Sequence, residues 1–239
     1  MSKIRISAVS YTNTKPFAFG IEHSELRDKI ELTYDIPSDC AQKLIDNKCD
    51  IGLIPVAALL SIPNYYILGD YCIGSVGAVN SVFIFSEKPI SEVKTVRLDP
   101  QSRTSNNLAK VLLKNYWEVP VEFVLEGEAD AFVEIGDRTF PHIDVFPFSY
   151  DLGEQWFQFT GLPFAFAVWA SNKPIAPGFV YELNKALKFG VDNIDIVLEG
   201  LPKLENFDLG DYFHNKLDFN LTTEKRSAIQ KYLQYVQEL

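Results

Sequence analysis

Three stretches of this chain gather short hydrogen-bonding side chains where an apolar run stops. In "VSYTNTKPF" (9–17), Ser10, Tyr11, Thr12, Asn13 and Thr14 follow the alternating Ile4, Ile6 and Ala8 and precede a proline-started helix. Asn13 offers a donor and an acceptor without charge, suited to orienting a polar ligand, although Asn and Thr before Pro also serve as helix caps. In "LDPQSRTSNNLAKVLL" (98–113), Ser102, Arg103, Thr104, Ser105 and Asn106 crowd the start of an amphipathic helix carrying Leu108, Val111 and Leu112. Free N–H groups at a helix start, joined by hydroxyls, make a cradle for a carboxylate or phosphate, and one cap needs only one such residue. In "VEIGDRTF" (133–140), Gly136 lets a strand turn sharply and leaves Asp137 at its end, as a base, a holder of a hydroxyl, a cap or a partner of Arg138. His23, His142 and His214 form no constellation with Ser or Cys that points to a catalytic triad.

Short apolar runs that alternate with helical patterns must position these groups, which is the signature of α/β architecture. Strands are expected at 3–10, 30–36 and 50–55, with a helix capped by Ser38 facing Ala41, Leu44 and Ile45 inward. A β-rich run covers Tyr65 to Phe85. The pattern then restarts with strand 94–98, helix 103–116 and strands 120–125 and 131–135. Residues 150–159 read as a helix and 163–171 as a strong strand. From Pro177 the chain is helical, ending in a helix with Ile229, Tyr232, Leu233 and Val236 on one face. There are no internal repeats. The two extended strands at 81–86 and 165–171 predict two lobes joined by crossing strands, with a ligand cleft between them: residues 1–86 plus 171–239, and residues 87–170.

Composition limits the function. The 239 residues can bury a sizeable core, and 47% hydrophobic with 23% charged residues is ordinary for a globular protein. A formal charge of −10 argues against nucleic acid as a partner, since no cluster of Lys and Arg is present to bind it. The opening "MSKIRISAVS" lacks the apolar core of a secretory signal, and no run approaches the roughly 18 apolar residues of a membrane span. Cys40, Cys49 and Cys72 are neither spaced for zinc nor numerous enough for a disulfide framework. A cytoplasmic, reduced and metal-free setting is expected.

Seven motifs, "AVSYTNTKPF", "DIGLIPVAAL", "SVFIFS", "SRTSNNL", "IGDRTF", "DLGEQW" and "TGLPFAFAVWA", occur in the order and approximate spacing of the menaquinone biosynthesis protein family of the futalosine route. From about residue 4 to 173 the chain resembles that family, most closely its dehydratase branch. The resemblance implies a fold like that of type II periplasmic binding proteins, in a cytoplasmic enzyme. It also implies the removal of water from chorismate to give 3-[(1-carboxyvinyl)oxy]benzoate, a reaction driven by aromatisation of the substrate and so expected to need no metal or organic cofactor. Carried over by position, Asn13 and Ser81 match the family's cleft asparagine and serine, and Thr104 and Ser105 its helix-start pair for a substrate carboxylate. Thr12 stands where leucine is common in the family, and Ala78 where proline is common.

The expected catalytic groups are therefore Asn13, Ser81 and Asp137, with Ser10, Tyr11, Ser102, Thr104, Ser105, Asn106 and Gly136 binding a small dianion. Two bases are candidates, Asp137 and the substrate's own enolpyruvyl carboxylate. The substrate is favoured, because an ionised Asp137 would repel a dianion. Two alternatives share the cleft: a sister enzyme that makes 1,4-dihydroxy-6-naphthoate, expected to carry a histidine near Gly136-Asp137, and a non-catalytic carboxylate-binding protein.

Overall fold

The alternating Ile4, Ile6 and Ala8 lie in β1 (Ile4–Val9), whose last four residues are buried. The structure, a computed structural model, describes residues 3–239. After a 3-10 turn at Thr12–Thr14, Pro16 occupies the first turn of α1 (Lys15–Glu22), where its fixed φ suits a helix start. β2 (Ile30–Asp35) runs parallel to β1. α2 (Pro37–Ile45) buries Cys40, Ala41 and Leu44, but Ser38 does not cap it. The chain enters at Ile36, and Pro37 pre-sets the first turn, so Ser38 falls inside the helix.

β3 (Ile51–Pro55) is buried throughout, and a 3-10 segment, Val56–Ser61, follows it. The β-rich run divides into β4 (Tyr66–Ser75) and β5 (Val82–Ser86). β6 (Thr95–Arg97), α3 (Arg103–Asn115), β7 (Glu122–Val124) and β8 (Ala131–Ile135) follow the expected alternation. Residues 150–159 are not one helix. Phe148–Asp151 is β9, and α4 (Leu152–Thr160) begins after it. Asp151 caps α4 by accepting from Gly153 N at 2.9 Å and Glu154 N at 3.1 Å, and Gly161 ends it with φ of 71°.

β10 (Phe164–Ser171) is buried at all eight positions. α5 (Pro177–Asp192), α6 (Ile194–Glu199) and the single turn α7 (Leu209–Asp211) come next. The chain then widens into one π-helical turn at Tyr212–Lys216 and ends with α8 (Thr223–Gln237), which buries Ala228, Ile229, Tyr232 and Leu233. Among the described residues no helix is long and apolar enough to cross a membrane.

Among the described residues the strands form two five-stranded sheets, in orders β2-β1-β3-β10-β4 and β7-β6-β8-β5-β9. Each has a parallel trio, with β1 or β6 in its middle, and a strand that arrives from the other half of the chain and pairs antiparallel. The two sheets thus share one connection pattern although the sequence shows no repeat.

Sheet membership departs from the expected division. β5 belongs to the second sheet and β10 to the first, so 82–86 and 164–170 change sides relative to boundaries at 86/87 and 170/171. A strand buried on both faces is a continuous apolar run, and nothing in such a run tells which sheet takes it. We propose two lobes, with the chain crossing at 76–81 and again at 161–163. Residues 1 and 2 of the first expected lobe lie outside the described residues.

Candidate functional site

A hollow of about 500 Å3, open space at its mouth included, lies where the ends of β1, β3 and β8 meet the 76–81 crossing and the start of α3. Val9, Ile73, Val79, Ile135 and Phe166 make its walls largely apolar. The polar groups on those walls are uncharged: Tyr11, Asn13, Ser81, Ser102, Thr104 and Ser105. Ligand sites of α/β folds collect at strand carboxyl ends and helix starts because peptide dipoles point there.

One polar wall is the first turn of α3. Ser102 is the N-cap, its Oγ accepting from Ser105 N at 3.0 Å. Thr104 Oγ1 accepts from Ala57 N at 3.1 Å, across to the segment after β3, and its hydroxyl hydrogen remains to be donated. The Thr104 carbonyl in turn accepts from Tyr232 Oη at 2.9 Å, so α8 pins this turn from behind. Among the described residues the Ser105 hydroxyl has no partner within hydrogen-bond distance.

The other polar wall is built at the crossing. Asn13 Oδ1 accepts from Thr14 Oγ1 at 3.2 Å, which leaves the amide nitrogen for a ligand. Ser81 is 2% exposed, and its Oγ accepts from the buried Tyr212 Oη at 2.9 Å. The turn that presents Ser81 is held by Asp151, which accepts from Val79 N at 2.9 Å and Asn80 N at 2.6 Å. Asn80 is left-handed at φ 55°, a conformation that asparagine tolerates better than most residues. Burial pushes the Asp151 carboxyl up to about 6, against the pull of the four N–H groups around it.

Gly136 lines the hollow with φ of 65°, and its N–H donates to the Ser81 carbonyl at 2.8 Å. A Cβ there would come within 2.7 Å of the Tyr11 ring, so glycine lets that ring lie on the backbone. The Tyr11 hydroxyl donates to Gln101 Oε1 on the opposite side.

Three expected site residues lie elsewhere. The Asp137 carboxylate accepts from Thr12 N at 3.0 and 3.2 Å and from Thr12 Oγ1 at 2.9 Å, and it borders a separate depression beside Phe140 and Phe207. Asn106 turns back on the β6 to α3 loop, accepting from Asp99 N at 2.9 Å and donating to the Asp99 carbonyl at 2.7 Å. Ser10 is exposed, and its N–H completes the parallel ladder by donating to the Asp35 carbonyl at 2.9 Å. The side chains of Asp137 and Asn106 are thus taken up by backbone and hydroxyl partners, while Ser10 is held through its backbone alone. Sequence reasoning missed Asp151 and Tyr212, since neither "SYDLGE" nor "GDYFHN" carries a pattern that tells which loop its side chain meets.

The matches to known proteins agree with this architecture. A family model described as menaquinone biosynthesis matches residues 4–238, well beyond the segment whose motifs carry the resemblance. A chorismate dehydratase of Thermus thermophilus is 27% identical over 79% of this chain and 78% of its own length. A chorismate dehydratase of Campylobacter jejuni is 26% identical over 94% of each chain. A Candida albicans protein described as having the generic periplasmic binding protein fold superposes with a TM-score of 0.70 at 14% identity, covering all of this chain and 91% of that one, a likeness of fold alone. With nearly its whole described length matched, the chain belongs to the menaquinone biosynthesis protein family.

Proposed function

We propose that this chain is a chorismate dehydratase, converting chorismate to 3-[(1-carboxyvinyl)oxy]benzoate and water in menaquinone formation by the futalosine route. The observation that carries the reading is the convergence of uncharged donors from distant segments, Asn13, Ser81, Thr104 and Ser105, on one largely apolar hollow. Both dehydratase relatives support it over most of their length.

In this reaction the ring C–H bond beside the enolpyruvyl ether breaks, its electron pair enters the ring, and the neighbouring C–O bond breaks. The departing hydroxyl takes up a proton and leaves as water, with no external oxidant or reductant. Aromatisation supplies the driving force, so the protein's part is to orient two carboxylates and stabilise charge at the leaving oxygen. Thr104, Ser105 and the α3 start hold a carboxylate. Asn13 and Ser81 donate towards the side chain and the departing hydroxyl. The base is the substrate's own enolpyruvyl carboxylate, because the hydrogen bonds from Thr12 hold Asp137 outside the hollow. A cytoplasmic setting fits the three buried cysteines, none of which is in a disulfide.

Incubating the purified protein with chorismate, and following the aromatic product by ultraviolet absorbance and mass, tests the reading. The expected result is loss of one water per chorismate. Tight binding without product would favour a carboxylate-binding protein instead.

A further inference from the structure

Ser81 has to aim a hydrogen at a ligand, yet a serine hydroxyl rotates freely unless something fixes it. The group that meets it comes from 131 positions further along the chain: the Tyr212 phenol, 2.9 Å from Ser81 Oγ. Tyr212 is 1% exposed, does not line the hollow, and stands behind Ser81. Its ring is fixed edge-on against Phe140, with centroids 5.5 Å apart at 71°, and against Phe207, at 5.3 Å and 64°. It opens the one π-helical turn among the described residues, Tyr212–Lys216, and such wide turns recur at functional sites.

Of the two hydroxyls the phenol is the stronger acid, and so the natural donor. Burial raises the Tyr212 pKa further, which keeps the donor proton on the ring at all ordinary pH. With the serine oxygen accepting from behind, its own hydrogen turns forward into the hollow. Linked hydroxyls polarise one another, which strengthens the outermost donor.

We propose that Tyr212 is a positioning residue for the dehydration, donating to Ser81 Oγ so that the Ser81 hydroxyl hydrogen points at the departing oxygen of the substrate. The proposal rests on the chorismate reading above and adds to it a residue from the C-terminal third of the chain.

Steady-state kinetics with chorismate on the wild type, Tyr212→Phe, Ser81→Ala and the double variant test it. Tyr212→Phe is expected to lower kcat about tenfold, the loss of one neutral hydrogen bond, with KM within about twofold. The double variant is expected to be no slower than Ser81→Ala, since Tyr212 works through the serine. Multiplying effects, or a Tyr212→Phe kcat within about twofold of wild type, would overturn the proposal while leaving the chorismate reading intact. A wild type that leaves chorismate unchanged overturns that reading and this proposal with it. Should Tyr212→Phe fail to fold, 3,5-difluorotyrosine at position 212 keeps the shape and ionises at lower pH. An alkaline fall in kcat, shifted below that of wild type, is then expected, and an unshifted profile overturns the proposal.

Discussion

The two polar walls of the hollow are made in opposite ways. At the start of α3, Ser102, Thr104 and Ser105 are neighbours in sequence, and the helix itself brings them together, with Ser102 capping Ser105 at 3.0 Å. At the crossing, Asn13, Ser81 and Tyr212 come from three remote segments, and only the packed fold sets Asn13 and Ser81 on one hollow with Tyr212 against Ser81. A local wall tolerates small errors elsewhere in the fold, because its geometry is that of one helical turn. An assembled wall depends on long-range packing, and that packing also lets it place donors at angles no single turn offers. Under the proposed reading, binding falls to the first wall and turnover to the second.

That division can be broken most directly at Asn13. Asn13→Ala is expected to lower kcat by about 100-fold or more, the scale of losing a donor to developing charge, with the melting temperature nearly unchanged. Near-normal turnover would remove the crossing wall from the chemistry. Thr104→Val is expected to weaken substrate binding by roughly 1–3 kcal/mol, read as a raised KM. It also leaves Ala57 N without its acceptor, so thermal stability falls too, and Thr104→Ser is expected to recover both.

Ser102→Ala sharpens the contrast, because its hydroxyl oxygen is engaged as a cap. Calorimetry is expected to show a stability loss of about 0.5–2 kcal/mol with a much smaller change in KM. A pH-linked effect on stability alone belongs to Asp151 under the Ser81 turn. Its folded pKa of about 6 lies above its unfolded value, so the folded protein holds the proton more tightly. Its contribution to stability is therefore fully present below about pH 4 and is lost as pH rises through about 6. Melting temperatures of wild type and Asp151→Asn, measured across that range, are expected to differ in slope there and to run parallel above it.

Much of the fold was legible because amphipathic periodicity and proline positions are local signals. β1, β3, α3, β8 and α8 lie close to where apolar spacing puts them. Two errors share a local cause: at Pro37 and at Asp151 the group that starts the helix was misjudged by a residue or two. Sheet membership departs from the expected division for another reason. β5 and β10 are apolar on both faces, and partner choice between two equally apolar sheets is decided by chain topology rather than by composition.

Of the site, the hydroxyl-rich stretches were visible as residue types, but types alone could not tell which groups stay free. Asp137 is engaged by Thr12, and Asn106 by Asp99, so neither lines the hollow, while Ser105 keeps its hydroxyl free. By itself, the sequence determined the α/β class, the polar strand ends and the acidic balance of charge, because these follow from composition and from spacing within a few residues. The tertiary structure alone decided which strands share a sheet and which carboxylates turn away from the hollow. It also set Tyr212 behind Ser81, for hydrogen bonds between remote segments form only after loop closure and packing have brought their partners together.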